Sequence, residues 1–288
     1  MNLKLMTLNT HSLHGEDAEK NMRGLCDLLV GERPDVVALQ EVNQTAGAPS
    51  ADTDHTEGYY RVATCVFPVP IKKDNFAAEL VWQLSKRGAV YHFCWLPVKL
   101  GYGRFDEGLA ILSSEPIESA CGIYISKRQC YDDWRTRMAL LMRQKGSPIT
   151  FCNIHTSRYD DVEEPFDGQW KRLCSGVPDM EGSVIMGDLN CPAEIRGEGY
   201  DRVCENGFFD LYRLADVRAG GRATVVGKID GWKDGELSEG GRIDHIFTGF
   251  YPKARRISYC RVLDGERGEA VSDHFGVLVN IEGLELDF

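Results

Sequence analysis

Val184-Ile185-Met186-Gly187-Asp188-Leu189-Asn190 is a short apolar run that stops on a carboxylate and an amide. Such a run, bounded by glycine, reads as a buried strand. The polar pair just past it reads as a strand-end loop, where a rigid scaffold displays functional groups. The arrangement recurs along the chain. Leu3-Lys4-Leu5-Met6-Thr7-Leu8 ends in Asn9, Val36-Val37-Ala38-Leu39-Gln40 ends in Glu41, and Ile149-Thr150-Phe151-Cys152-Asn153-Ile154 ends in His155. Asp273-His274 opens the last apolar run. Any one of these alone is as well explained as a turn former or helix cap; the reading rests on their conjunction. Several strands of a sheet bring such ends together. Carboxylates and amides with two imidazoles and no thiols are hard donors that suit Mg²⁺ or Mn²⁺ better than zinc.

Between these runs the apolar spacing predicts helices over residues 17–30, 75–86 and 165–175, and a fourth that follows Pro192 and closes at Gly207. Gly31 and Pro34 are the expected stop of the first. Further strands are expected at 61–67, 89–95, 109–112, 117–125, 138–142, 243–247, 256–262 and 275–281. Residues 43–59 and 220–241 lack periodicity and read as long functional or mobile loops.

The 288 residues allow one large domain or two small ones at ~150 residues each. No composition break, linker or repeat marks a boundary, so a single domain over residues 1–288 is expected. Lys and Arg number 33 against 44 Asp and Glu, a net charge of −11. A non-specific grip on nucleic acid, which needs several cations on phosphates, is disfavoured, although a local basic groove survives on some acidic proteins. The ten cysteines show no C-x-x-C pair and no zinc spacing. With an opening run, residues 3–8, too short and polar for an export signal, they read as free thiols of a cytoplasmic protein. No stretch approaches the ~18 apolar residues of a membrane span.

The ordered set Leu8-Asn9, Gln40-Glu41, Asp106-Glu107-Gly108-Leu109-Ala110-Ile111-Leu112, Asn153-Ile154-His155, Gly187-Asp188-Leu189-Asn190, Arg242-Ile243-Asp244-His245-Ile246-Phe247 and Ser272-Asp273-His274 closely resembles the endonuclease/exonuclease/phosphatase superfamily. The resemblance runs from Leu5 to Val277 with every motif in family order. It implies an α/β fold, a four-layer sandwich of two packed mixed β-sheets flanked by helices, and hydrolysis of a phosphoester with a divalent metal. Carried over residue by residue, it implies Glu41 as the principal metal carboxylate, with Asn9 and Asp273 on the metal side. Asp188 looks like the residue that orients and deprotonates the attacking water, and Asn190 like its partner in holding the phosphate. His274 looks like the imidazole on a phosphoryl oxygen, with Asp244 fixing its tautomer. His155 resembles a second imidazole, assigned to charge stabilisation or to proton delivery. His245, one residue past Asp244, reads as facing away; His11 and His14 follow the first strand as candidates for the mouth of the site. His55 and His92 have no supporting context.

The superfamily's branches cut nucleic acids, phospholipid heads, inositol phosphates and sugar phosphates with one core. Residues 91–105, leading into Asp106-Glu107-Gly108, look like the bacterial sugar-phosphate phosphatases of the superfamily, the maltose 6'-phosphate phosphatases in particular, as does Leu8-Asn9-Thr10-His11-Ser12. Phe93 and Trp95 alternate in a strand and read as core. Tyr102 and Arg104, between glycines, read as pocket residues. Trp134, Arg135 and Arg137 form a second aromatic-basic group that suits a sugar phosphate and equally a nucleotide. Trp232 and Lys233 are placed to cover the site. The expectation is an Mg²⁺- or Mn²⁺-dependent phosphatase acting on a small phosphorylated carbohydrate. The alternatives are a nuclease or phosphodiesterase on DNA, RNA or a phospholipid head group, and a catalytically silent binding module.

Overall fold

A computed structural model of the protein describes residues 1–12, 17–63, 67–227, 229, 232, 233 and 237–286. The first part of the chain forms β1 (Leu3–Asn9), α1 (Ala18–Glu32), β2 (Val36–Thr45), α2 (Phe76–Lys86), β3 (His92–Gly101), β4 (Phe105–Ser113) and β5 (Ile117–Tyr124). Then come β6 (Met138–Gln144), β7 (Thr150–His155), α3 (Phe166–Gly176), β8 (Ser183–Asp188), α4 (Gly199–Glu205) and β9 (Phe209–Asp210). The last part gives α5 (Leu211–Leu214), β10 (Val217–Ala219), β11 (Asp244–Thr248), β12 (Arg256–Val262) and β13 (Gly276–Glu282). The strands make a seven-stranded sheet, ordered β10-β12-β13-β1-β2-β4-β3, and a six-stranded sheet, ordered β5-β6-β7-β8-β11-β9. Both are mixed: β1 and β2 run parallel in one, β7 and β8 in the other.

Alternation along each strand sorts the side chains into layers. Leu3, Leu5, Val36, Ala38, Phe151, Val184, Met186 and Ile246 fill the core between the sheets. Met6, Leu8, Val37 and Leu39 point the other way and meet Leu25 and Leu29 of α1 and Leu80 and Leu84 of α2. Ile154, Ile185 and Phe247 do the same against Phe166, Trp170 and Leu173 of α3 and Val203 of α4. The layers are helix, sheet, sheet, helix, an α/β sandwich as expected. Strands covered on both faces are near-continuous apolar runs, which explains the form of the sequence around residues 3–8 and 184–186. Leu5, Leu8 and Phe151 are wholly buried, each contributing about 1.5–3 kcal/mol relative to exposure.

The series of inward positions continues past the apolar residues to the end of the sandwich. Residues 3, 5 and 7 lead to Asn9, 36 and 38 to Gln40, 151 and 153 to His155, 184 and 186 to Asp188, and 246 back to Asp244. Just short of that end a polar pin joins the sheets. Asn153 donates to the carbonyls of Leu39 and Ala110, both at 2.8 Å, and accepts from Gln40 Nε2 at 2.6 Å.

Several boundaries differ from expectation for identifiable reasons. Gly31 lies inside α1; the stop is Arg33, whose left-handed backbone (φ 50) carries its N–H to Leu29 O before Pro34. Residues 191–198 are turns and bends, so the fourth helix starts only at Gly199. In the expected strand over 61–67, residues 64–66, with Cys65, lie outside the described residues, and the flanking positions are irregular. Residues 43–45, expected in a loop, belong to β2. The nine described cysteines are free thiols. Among the described residues no helix is long and apolar enough to cross a membrane.

Candidate active site

Two register slips shape the site. β2 pairs with β4 in one register down to Leu39↔Ala110 and resumes one step out at Val42↔Gly108. The extra residue is a bulge in which Glu41 takes φ 50. Simple alternation after Gln40 sends Glu41 to the helix side; the bulge re-aims it into the gap between the sheets, beside Asn9. The pairing of β3 with β4 slips in the same way between Pro97↔Gly108 and Lys99↔Glu107. Lys99 thereby lands on the face of Cys94, Leu96 and Val98, with its ammonium 3.1 Å from Glu107.

The six-stranded sheet supplies a row of three. His155 is the register partner of Asp188 across β7 and β8, and Asp188 that of Asp244 across β8 and β11. Gly187, at φ 139, makes this closeness possible, because a Cβ there would lie 2.0 Å from Ile154 O. His274, just before β13, completes the group. Its Nδ1 is 2.9 Å from Asp244 Oδ2, and its Nε2 is 3.9 Å from Asp188 Oδ2. His11, Glu41, Tyr102 and Asn190 are four of the six described non-glycine residues with positive φ. Strain of about 1–3 kcal/mol per such residue persists where the surroundings over-determine it, and here it concentrates at one site.

Electrostatics differentiates these groups. Burial and the neighbouring Asp244 carboxylate raise the Asp188 carboxyl, against the pull of His274, so that it titrates at about 7. Burial opposes charge on His274, but Asp244, aided by Asp188 and Asp273, outweighs it and raises the imidazole to about 10. His274 is therefore an imidazolium at neutral pH. His155, sequestered and close to Arg137 and Lys99, is held well below the usual histidine range. It is neutral, although its Nε2 lies 3.6 Å from Asp188 Oδ2. Burial also opposes ionisation of Glu41, yet the hydrogen bonds from His11 and from the Asn9 amide overcome it and keep the carboxylate well below the usual range.

The donor atoms test whether a divalent ion fits. Asp188, Asp244 and His274 form an acidic/imidazole group with ligand atoms within 4.8 Å of one another, but there the imidazolium already supplies the positive charge and has no lone pair to offer. On the other side, the Asn9 NH₂ sits between Glu41 Oε1 (3.0 Å) and Asp188 Oδ2 (3.2 Å), a position where a cation is favoured. Ser272 Oγ links Asp273 Oδ1 (3.1 Å) to Asn9 O (2.8 Å). Glu41, Asn9 and Asp273 each carry a hard oxygen of the kind that Mg²⁺ or Mn²⁺ takes.

Of these groups Glu41 and His155, with Asn190, line a cavity of about 510 Å³. Glu41, His155 and Asn190 line its deep end, Lys99, Glu107 and Arg137 one wall, and Tyr102, Trp134, Arg158 and Asp161 the outer part. Arg137 is buried and donates from Nη1 to Trp134 O at 3.1 Å; among the described residues it has no carboxylate partner and its Nε has no hydrogen-bond partner. Arg104 is not part of this lining; its guanidinium lies over the Phe105 ring. His11 reaches Glu41 Oε2 at 3.3 Å, whereas His14 lies outside the described residues. His245 faces the helix layer and sits 2.9 Å from Arg242 Nη1. Trp232 reaches the site, donating from Nε1 to Asn190 Oδ1 at 3.0 Å. Lys99, Ser157, Arg158 and Asp161 are lining residues that sequence reasoning missed. For Lys99 the only signal was a lysine in an otherwise apolar run, and alternation pointed it the wrong way.

A profile of the endonuclease/exonuclease/phosphatase family matches residues 6–274, which contain every one of the residues just described. The chain belongs to this family. Phosphoester hydrolysis, the family's chemistry, is accordingly its class of activity. No curated protein matches the chain. Among solved structures it is similar to an endonuclease/exonuclease/phosphatase family protein from Leptotrichia buccalis, with 23% identity, 99% of this chain and 100% of that one covered, and a TM-score of 0.78. It is also similar to a mannosyl-6-phosphatase from Bacteroides thetaiotaomicron, at 16% identity over 99% of this chain and 100% of that one, with a TM-score of 0.60. TDP2 from C. elegans matches at 16% identity over 98% of this chain and 75% of that one, with a TM-score of 0.58. At these identities the three structures share the family fold.

Proposed function

We propose that the protein is a divalent-metal-dependent phosphatase that releases phosphate from a small phosphorylated sugar, by in-line attack of a water activated by Asp188. The observation that carries this reading is Arg137. It is a guanidinium only 9% exposed, lining the cavity with no carboxylate within ion-pair distance among the described residues. A buried cation left alone is costly, and a phosphate dianion supplies the missing charge with the fork geometry that guanidinium favours. Lys99 beside it adds a second cation.

Asp188, ionised above about pH 7, accepts a proton from the attacking water and holds that water in line with the leaving oxygen. Asn9 and the Asn190 backbone N–H keep the carboxylate in position. His274, held as an imidazolium by Asp244, donates from Nε2 to a non-bridging phosphoryl oxygen as negative charge develops. His155, neutral, gives a hydrogen bond from one ring nitrogen to the leaving side. Glu41, Asn9 and Asp273 would hold a divalent ion, which when bound supplies Lewis-acid charge to the phosphoryl group.

At the mouth, Tyr102 and Trp134 are 60% and 55% exposed and offer ring faces to a pyranose. Ser157, Arg158 and Asp161 offer hydrogen-bonding groups for hydroxyls. The Glu107 and Asp161 carboxylates in the wall and the net charge of −11 oppose a long polyanion. The mannosyl-6-phosphatase among the similar folds adds support. We further read residues 1–288 as one catalytic domain and place it in the cytoplasm, where free thiols persist.

Inorganic phosphate release from hexose and disaccharide phosphates, compared with cleavage of an aryl phosphodiester and of plasmid DNA, tests this choice. Phosphate release from at least one sugar phosphate, with the diester and DNA intact, is expected. Cleavage of only the diester or DNA would overturn the substrate assignment.

A further inference from the structure

We propose that Trp232 is a positioning residue that sets the orientation of the Asn190 side-chain amide. A primary amide in a polar site has two orientations that differ by a half-turn and are nearly identical in shape. Its neighbours choose between them. The indole N–H is a donor with no acceptor capacity. Placed 3.0 Å from Asn190 Oδ1, it requires the oxygen to face Trp232. The NH₂ group then faces the opposite way, where Nδ2 lies 3.0 Å from Thr156 O and 3.5 Å from Asp188 Oδ2. Reversed, the amide would set its oxygen against a carbonyl and a carboxylate, two acceptors. Trp232 thus keeps a hydrogen-bond donor pointed at Asp188, on a residue that lines the deep end of the cavity.

Trp232 is itself anchored. It packs on the small apolar cluster of Val225, Ile229, Leu237 and Ile243. Val225 is bridged to Gly241 and to His274, so the anchor is tied to the same segments that carry Asp244 and His274. The Arg158 guanidinium lies 4.2 Å over the indole ring and also lines the cavity. The two parts of the tryptophan therefore have separable effects: the N–H acts through Asn190 on the chemical step, and the ring acts through Arg158 on substrate binding.

This inference rests on the phosphatase reading, and the test separates the two. Trp232→Phe keeps a ring under Arg158 and deletes the N–H; Trp232→Ala deletes both. With the sugar phosphate that wild type hydrolyses fastest, Trp232→Phe is expected to lower kcat about tenfold, the scale of a small misplacement of a reacting group, with KM within about twofold. Trp232→Ala is expected to raise KM as well. In an Asn190→Ala background Trp232→Phe should have no further effect on kcat, because a residue that acts through another couples fully to it. Independently of activity, Asn190→Ala should shift the Trp232 indole N–H resonance upfield and speed its exchange with solvent. Wild-type kcat in Trp232→Phe, or effects that simply multiply in the double variant, would overturn the positioning role while leaving the phosphatase reading intact. Wild-type enzyme inactive on every phosphoester would overturn both.

Discussion

His274 and Asp188 are buried a few ångströms apart with titrations displaced in a way that ties stability to pH. An unfolded imidazole titrates near 6.5 and the folded one at about 10, so the stability His274 contributes is complete below about 6.5 and lost as the pH climbs to about 10. An unfolded Asp carboxyl titrates near 3.8 and Asp188 at about 7. The folded state therefore holds that proton longer and loses relative stability between those values as the pH rises. Below about pH 7 the buried His155 and His245, held under the usual histidine range, act with the opposite sign; above it the His274 contribution governs, and the metal-free protein should melt at progressively lower temperature from about pH 7 to pH 10. Asp188→Asn removes the ionisable group that burial and Asp244 disfavour. It should abolish turnover yet raise the melting temperature at pH 8, by roughly 2–4 °C for each kcal/mol relieved, as measured by calorimetry. An unchanged or lower melting temperature would contradict the like-charge pressure between Asp188 and Asp244. At this scale the sequence was informative about identity and silent about state. Asp188, Asp244 and His274 stood out in motifs, but the neutrality of His155 depends on its burial and on Arg137, just before β6, and Lys99 of β3.

The bulge that turns Glu41 inward and the pin at Asn153 are properties of paired strands. Asn153 hydrogen-bonds the carbonyls of Leu39 and Ala110 across the sandwich, and its removal takes a donor from both buried carbonyls and leaves the Gln40 amide with Thr7 Oγ1. Asn153→Ala is expected to cost about 3 kcal/mol in urea unfolding, the scale for several unsatisfied buried groups, and a cost under about 1 kcal/mol would show that the pin is dispensable. Elements whose determinants are local were legible. The α2 start at the Asn75 cap, which accepts from Ala78 N, and the apolar strands β1, β7 and β8 are such cases. What was not legible depends on a partner. Alternation within β2 or β3 alone points Glu41 and Lys99 the wrong way, and only the register against β4 reverses them. The short β9, β10 and α5 carry too few residues for a periodic signal.

The whole molecule assembles one centre from groups spread along its length: Ser272 hydrogen-bonds the carbonyl of Asn9, 263 positions away. The seven-stranded sheet and its edges bring Asn9, Glu41, Lys99 and His274; the six-stranded sheet brings His155, Asp188 and Asp244. The order of the motifs announced the architecture while the shape of the cavity did not. Tyr102 and Trp134 reach its mouth from different loops, and Arg104, sequence neighbour to Tyr102, is turned away onto Phe105. In the proposed reaction the oxygen donors Glu41, Asn9 and Asp273 bind a divalent ion needed for phosphoester hydrolysis. The most direct test is the rate of phosphate release from a sugar phosphate as a function of free Mg²⁺ or Mn²⁺, for the wild type and for Glu41→Gln. A saturable dependence abolished by chelator is expected, with the half-saturating concentration raised by ~10²-fold in Glu41→Gln, the upper end of what weakening a metal site costs. A rate indifferent to chelator, or an unchanged half-saturation in that variant, would contradict it.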